Sequence, residues 1–199
     1  MKRRKKAKLP EIILASGSPR RRMMLKTIGI PFKIELSTYE EKHDIHKRPH
    51  AIVTVHARNK AAEVAMRVQK GIVIGADTLV YRDGKVYGKP KDMREARRML
   101  KELQGRKHAV YTGLAVYDAG AKKWEVGYER TAVTMRVLTG GEIEHYFSLM
   151  DPLDKAGAYA IQDAGSLIIE RIEGCYYNVL GFPIAKLDEM VRTLGYTLF

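Results

Sequence analysis

The sequence is poor in cysteine and has no long uncharged hydrophobic stretch. Cys175 is the only cysteine, which excludes an internal disulfide framework and a cysteine-based metal site. No apolar run approaches the length of a membrane-spanning helix, and the basic first residues lack the apolar core of a secretory signal. We therefore expect a cytoplasmic protein with no membrane partner.

Two common nucleotide-binding signatures are also missing. The sequence contains neither a G-x-x-x-x-G-K-[ST] phosphate loop nor a G-x-G-x-x-G dinucleotide fingerprint. We find no internal repeat, and the basic first segment is the only compositionally biased tract. A phosphate site in this chain must therefore be built from other residues.

Positive charge clearly exceeds negative charge. The 199 residues include 36 Lys and Arg against 23 Asp and Glu, a formal net charge of +13. Six of these positive charges lie in residues 1–8, which we expect to form a disordered extension before a single domain over residues 9–199. The remaining excess suits either a small polyanionic substrate or a nucleic-acid surface, and net charge alone does not choose between them.

The stretch from residue 12 to residue 25 is the most informative one. Residues 12–15 have the apolar character of a buried strand, which ends at Ser16-Gly17. Ser18 is a candidate N-cap and Pro19 a favoured first residue of the following helix, whose exposed N–H groups favour an anion. Arg20 to Arg22 then lie at the helix end that prefers acids. The pattern indicates an anion site, although an ordinary strand and helix with solvated arginines explains it equally well.

The rest of the chain alternates between helical and extended patterns. Further strands are predicted at 32–36, 72–74, 79–81, 86–87, 108–117, 124–137 and 167–172, and helices at 19–29, 52–69, 92–105, 139–150 and 184–194. This alternation predicts the α/β fold class, with an extended antiparallel section formed by the two longest strands.

Four charged residues are candidates for chemistry. Asp77 is expected at the end of a buried strand, where open α/β sheets place ligand chemistry, although a turn aspartate would look similar. Glu41 could help to hold a divalent cation or be merely solvated. Lys60, within a helix, points either into a cleft or along the helix margin, and Pro90 biases Lys89 towards an extended backbone. Acids that hold a cation and lysines that neutralise phosphate are what metal-assisted attack of water on a polyphosphate requires.

Five short motifs follow one another along the chain: residues 14–21 (LASGSPRR), 75–78 (GADT), 88–90 (GKP), 111–113 (YTG) and 154–162 (DKAGAYAIQ). Together they closely resemble the Maf family of nucleoside triphosphate pyrophosphatases. Considered without the resemblance, the pattern of residues 154–162 is equally typical of a functional loop and of a tight packing corner. The resemblance implies an elongated α/β fold of the Maf or inosine-triphosphatase type, in which helices flank a central mixed sheet and two lobes surround an active-site cleft.

The resemblance also implies the chemistry and the residues that carry it. A nucleoside triphosphate would be cleaved to its monophosphate and pyrophosphate with a divalent cation, magnesium or manganese. Asp77 matches the catalytic proton acceptor of the family, and its other site groups match Ser16, Arg20, Glu41, Lys60 and Lys89. We expect Asp77 to deprotonate a metal-associated water and Glu41 to help hold the metal, while the cations and Ser16 bind phosphate.

Substrate choice within the family is implied by three positions. Arg21, Thr78 and Gln162 resemble the branch that acts on dTTP and UTP, and modified pyrimidine triphosphates could also fit. Gln162 is the natural base reader because its amide both donates and accepts, although a buried amide bonded to backbone is the alternative.

Two other functions stay open from the sequence. One is the same reaction on CTP or 7-methyl-GTP. The other is a nucleic-acid-binding or septum-regulatory role through the basic extension, which we do not expect. A homodimer is implied by the family alone.

Overall fold

The computed structural model of this protein describes residues 9–41 and 48–199. The predicted extension at residues 1–8 lies outside the described residues. The strands are β1 Ile12–Leu14, β2 Phe32–Ile34, β3 Ile72–Arg82, β4 Lys85–Tyr87, β5 Lys107–Asp118, β6 Lys123–Met135 and β7 Ile169–Glu173. The α-helices are α1 Pro19–Thr27, α2 Pro49–Ala65, α3 Met93–Leu103, α4 Gly140–Leu149, α5 Tyr176–Val179 and α6 Ile184–Thr193, and short 3-10 helices span Ala156–Ala158 and Asp163–Leu167.

The seven strands form one mixed sheet in the order β2-β1-β3-β5-β6-β7. β1 is parallel to both β2 and β3, whereas β3, β5, β6 and β7 pair antiparallel in succession. The short strand β4 forms an antiparallel hairpin with the far end of β3. The predicted fold class, a central mixed sheet flanked by helices, is confirmed.

The predicted end of the third strand is wrong. β3 does not stop at Gly75 to Thr78 but continues to Arg82, so Asp77 lies in the middle of a strand and pairs with Gly113 of β5. Gly75 allows a close approach instead of ending the strand. A Cβ atom on it would lie 2.1 Å from the carbonyl oxygen of Ala57 in α2, so the helix packs directly on the strand backbone.

The two faces of the sheet are covered differently. Helix α2 packs on one face through small residues such as Ala57 and Ala61. On the other face, one apolar cluster joins β1 and β3 to α1 and α6, and a second cluster joins β3 and β5 to α3 and α4. Ala76 and Val80 of β3 belong to different clusters, so the row that contains Thr78 and Thr112 lies at the seam between them.

A gap in strand pairing opens at the same seam. The parallel partner β1 stops opposite Ile74, and β4 pairs with β3 only from Val80 onward. Between these points the edge of β3 that carries Ala76 is not covered by a strand in the described residues. This gap is where the cleft forms. In the part of the chain described, no helix is long and apolar enough to cross a membrane.

Candidate active site

A cleft of about 620 Å³ lies over the gap in the sheet. It is lined by the β1–α1 loop, the middle of β3, residues 36–41 that follow β2, the start of the segment after β4, and the loops before β7 and α6. Eight of the nine predicted site residues line it, namely Ser16, Arg20, Arg21, Glu41, Lys60, Asp77, Thr78 and Lys89.

Gln162 is the predicted site residue that does not line this cleft. Its neighbour Ile161 does, whereas Gln162 is half-buried immediately before a 3-10 helix, and its backbone carbonyl accepts a hydrogen bond from the Gly165 N–H at 2.8 Å. Its role as base reader stays a prediction.

Lys60 joins the two predicted acids. Its Nζ atom lies 2.5 Å from Oε1 of Glu41 and 2.8 Å from Oδ1 of Asp77, and it also donates to the carbonyl oxygen of Ala76 at 3.4 Å. The Lys60 side chain is only 12% exposed. It does not follow the helix margin, because the tight packing of α2 on β3 directs it into the cleft.

The ammonium of Lys60 also sets the protonation of its partner. Burial alone would raise the pKa of Glu41, but the nearby charge and hydrogen bond of Lys60 outweigh burial and hold that pKa below its ordinary value. Glu41 is therefore an ionised carboxylate at neutral pH. Glu41 and Asp77 therefore share the ammonium of Lys60.

Residues 36–41 reach the cleft because helix α2 holds them in place. The Tyr39 hydroxyl and His56 Nδ1 are hydrogen bonded at 3.0 Å. One residue earlier, the Thr38 N–H donates to Glu63 of α2 at 3.2 Å. The same helix therefore positions both Lys60 and the segment that ends at Glu41.

The start of α1 forms the anion-favouring end of the cleft. Ser18 occupies the N-cap position as predicted, but its side chain makes no capping hydrogen bond. Instead, the Ser18 N–H donates to Oγ of Ser16 at 3.3 Å, and Arg21 donates to the same oxygen at 2.9 Å. Because both lone pairs of Ser16 Oγ are used, its hydroxyl can only donate, which suits a phosphate oxygen.

Arg21 connects four parts of the cleft. Its guanidinium donates to the Gly181 carbonyl at 2.8 Å, to Ser16 Oγ, to the Ala76 carbonyl at 3.0 Å and to Thr78 Oγ1 at 3.1 Å. Burial and the charge of Arg20 lower the pKa of Arg21, against the opposing effect of the acids. These four hydrogen bonds join α1 to β3 and to the loops at Ser16 and Gly181. They leave the guanidinium few N–H groups for substrate, and its contact with substrate stays a prediction.

Arg20, by contrast, keeps 25% of its side chain exposed. It forms an ion pair with Asp154 at 3.3 Å, and Asp154 is also 2.5 Å from Nζ of Lys155. Burial alone would raise the pKa of Asp154, but the two cations hold it below its ordinary value. Lys89 is exposed, and no ion pair or hydrogen bond of its ammonium occurs among residues 9–41 and 48–199. This end of the cleft therefore carries excess positive charge.

The donor set fits a hard divalent cation whose remaining ligands come from substrate. The described residues contain no cluster of three or more His, Cys, Asp or Glu that could hold a metal alone. Oδ2 of Asp77 is nevertheless buried and has no hydrogen-bond partner among residues 9–41 and 48–199, so this oxygen would gain from an added cation or donor. Magnesium commonly binds through one or two carboxylates together with phosphate oxygens and water, a set that Asp77, Glu41 and a triphosphate would provide.

Sequence reasoning assigned no role to several residues of the cleft region. Tyr39 gave no signal, because a single tyrosine in a polar loop has no spacing to interpret. Thr112 belongs to one of the motifs that resemble the family, residues 111–113, but only the structure places it beside Thr78. Asp154 also lay within a motif, and its ion pair with Arg20 joins residues 134 positions apart.

Comparison with known proteins gives a consistent result. The sequence model of the family described as "Maf-like protein" matches residues 11–194. A relative named dTTP/UTP pyrophosphatase from Pelotomaculum thermopropionicum is 45% identical over 190 residues, covering 96% of this chain and 100% of the relative. One of the same name from Caldanaerobacter subterraneus subsp. tengcongensis is 47% identical over 183 residues, covering 92% and 88%. The chain therefore belongs to the Maf-like protein family.

Proposed function

We propose that this protein is a nucleotide pyrophosphatase that hydrolyses dTTP and UTP to the nucleoside monophosphate and pyrophosphate. The similar proteins named dTTP/UTP pyrophosphatase support the substrates, and their identity to this chain extends over nearly its whole length. The observation that carries the chemistry is the pair of carboxylates, Asp77 and Glu41, joined by Lys60 beside a cationic cleft.

The cationic end of the cleft binds the triphosphate. The Ser16 hydroxyl donates a hydrogen bond to a phosphate oxygen, and the uncapped first turn of α1 adds backbone N–H groups. Lys89 and Arg20 neutralise phosphate charge as it develops on the leaving pyrophosphate. A triphosphate competes with Asp154 for Arg20, because both are anions that bind the same guanidinium.

The two acids, Asp77 and Glu41, activate the attacking water. The oxygen of water bonds to the α-phosphorus, the bond from that phosphorus to the bridging oxygen breaks, and pyrophosphate leaves with the bonding electrons. Asp77 orients the water and accepts its proton, while Lys60 fixes the position of the carboxylate. A divalent cation, magnesium or manganese, held by Asp77 and Glu41 would make such a water more acidic and stabilise phosphate charge.

The site of attack is tested by hydrolysing UTP in water enriched in oxygen-18. Attack at the α-phosphorus places the label in UMP and leaves the pyrophosphate unlabelled. Mass spectrometry of the two products distinguishes this from attack at the β-phosphorus, which labels pyrophosphate. Release of UDP and single phosphate would contradict the proposed reaction altogether.

Assembly as a homodimer is a proposal that rests on the family resemblance, whereas the proposed cytoplasmic location rests on the single cysteine and on the lack of a long apolar run in the sequence. Sedimentation of the purified chain tests the first, and fractionation of the source cells tests the second. No contact among the described residues favours the nucleic-acid or septum-regulatory alternative.

A further inference from the structure

The hydroxyl of Thr78 lies in a short chain of hydrogen bonds at the seam of the sheet. It accepts from the Arg21 guanidinium at 3.1 Å and is 3.1 Å from the hydroxyl oxygen of Thr112 on β5. The Thr112 hydroxyl oxygen in turn lies 2.9 Å from the backbone carbonyl oxygen of Asn178. Thr112 is fully buried, so water does not compete for these bonds.

The direction of each hydrogen bond follows from the last partner in the chain. A backbone carbonyl can only accept, so the Thr112 hydroxyl donates its single hydrogen to the carbonyl oxygen of Asn178. Thr112 then has only lone pairs to offer to Thr78. The bond between the two hydroxyls must therefore be donated by Thr78 and accepted by Thr112.

This polarity is held by a rigid anchor. Asn178 is fully buried, and its side-chain amide donates to the Val110 carbonyl at 3.1 Å and to Oγ1 of Thr131 at 3.0 Å. Its backbone carbonyl therefore keeps its position above Thr112. Because Thr78 has committed its proton to Thr112 and one lone pair to Arg21, the single remaining capacity of its hydroxyl is to accept.

The surroundings of Thr78 suit a nucleobase. Along the same face of the sheet, the next row towards α3 is the apolar pair Val80 and Val110, and both line the cleft with Tyr159 and Leu180. Apolar walls with one oriented polar group are typical of small-molecule sites. On the pairing edge of uracil or thymine, the one hydrogen-bond donor is the N3–H group, whereas N3 of cytosine is an acceptor.

We propose that Thr112 is a specificity-determining positioning residue, which fixes Thr78 as an acceptor for the N3–H group shared by uracil and thymine. The inference rests on the proposed function and deepens it, because it explains how a cleft selects dTTP and UTP against CTP. An acceptor that faces the N3 lone pair of cytosine repels it. UTP and CTP carry the same ribose and triphosphate, so the comparison between them isolates the base.

The test compares Thr112→Val with Thr112→Ser. Valine retains the branched shape but has no hydroxyl, so it releases the Thr78 proton to rotate towards cytosine N3. The Asn178 carbonyl stays satisfied, because it also accepts from the Gly181 N–H at 2.9 Å. We expect the ratio of kcat/KM for UTP to that for CTP to fall about tenfold in Thr112→Val, the value of one hydrogen bond. Thr112→Ser keeps the hydroxyl and should retain the wild-type ratio.

A purely structural role for Thr112 would lower the rate for both nucleotides equally and leave the ratio unchanged. That outcome, or a fall of the same size in Thr112→Ser, overturns the proposal. If Thr112→Val does not fold, Thr78→Val removes the acceptor itself, and a wild-type ratio in that variant overturns the proposal as well.

Failure of the proposed hydrolysis can be recognised separately. Wild-type protein that binds UTP without releasing pyrophosphate would contradict the function, and the ratio of dissociation constants from calorimetry would then test Thr112 in the same variants. A wild-type protein that binds CTP as tightly as UTP overturns the inference directly.

Discussion

Single side chains determine the charge state of the cleft. Lys60 holds the pKa of Glu41 below its ordinary value and brings Glu41 and Asp77 together around one ammonium. Removing such a buried partner leaves uncompensated charge, which is strongly destabilising in a protein interior. A second charge-dependent contact is buried behind the cleft, where Nε2 of His108 lies 2.7 Å from the hydroxyl oxygen of Tyr159. Since Tyr159 lines the cleft, the protonation of His108 affects a wall of the site.

His108 makes stability depend on pH. Burial, together with the charge of Arg82, lowers the pKa of His108 from 6.5 to about 4. Between these values the unfolded chain binds a proton that the folded chain does not, so stability falls as pH decreases through this window. At pH 4.5 we expect a loss of about 2 kcal/mol relative to pH 7.

Urea unfolding at pH 7 and pH 4.5 measures this loss. The control is His108→Gln, whose amide can still form a hydrogen bond with the Tyr159 hydroxyl but does not titrate. It should lose about 2 kcal/mol less than wild type over the same interval, since carboxylates affect both proteins equally. Equal losses in the two proteins would rule out the histidine as the cause.

At the scale of elements, the contact between α2 and the sheet positions the site. The helix approaches closely at two glycines, because a Cβ on Gly75 would lie 2.1 Å from the Ala57 carbonyl oxygen and one on Gly113 would lie 2.3 Å from that of Val53. Gly113 pairs directly with Asp77. The close approach therefore gives Lys60 its reach to Asp77.

Gly75→Ala should push α2 away from β3. We expect a loss of about 1–3 kcal/mol in unfolding free energy, the usual cost of overpacking, and a lower kcat because Lys60 loses its contact with Asp77. The matched control is Gly141→Ala in the first turn of α4, where a Cβ meets nothing within 4 Å. Differential scanning calorimetry and turnover measurements check both variants, and unchanged kcat in Gly75→Ala would contradict the role of the contact.

Local patterns predicted most elements but not where the site lies on them. The helix predicted from residue 139 and the strands predicted at 79–81 and 86–87 are present, because the capping box at Thr139 and the hairpin turn at Asp83-Gly84 depend only on neighbouring residues. The predicted strand over residues 72–74 stops before Gly75, because local sequence does not reveal that the backbone of a helix will pack on this glycine. An isolated glycine inside a strand pattern also signals such an approach, and this reading places Asp77 correctly.

At the scale of the whole molecule, the cleft lies where two apolar clusters on one face of the sheet do not merge. Their separation leaves the polar row of Thr78 and Thr112 and the uncovered edge of β3 between them. The eight predicted residues that line the cleft come from loops, strands and helices far apart in sequence. The resemblance to the family identified them, whereas their distances and hydrogen-bond directions depend on the tertiary packing.

The central claim is that this cleft hydrolyses dTTP and UTP with Asp77 as the proton acceptor. The most direct measurement is pyrophosphate release from dTTP, UTP, CTP, GTP and ATP, with magnesium, manganese or EDTA, for wild type and Asp77→Asn. Asp83→Asn is the matched control, because it makes the same chemical change in an exposed hairpin turn. We predict release from dTTP and UTP that requires metal, falls at least about 100-fold in Asp77→Asn and persists in Asp83→Asn. Equal release by wild type and Asp77→Asn, or none from any nucleotide, would contradict the account.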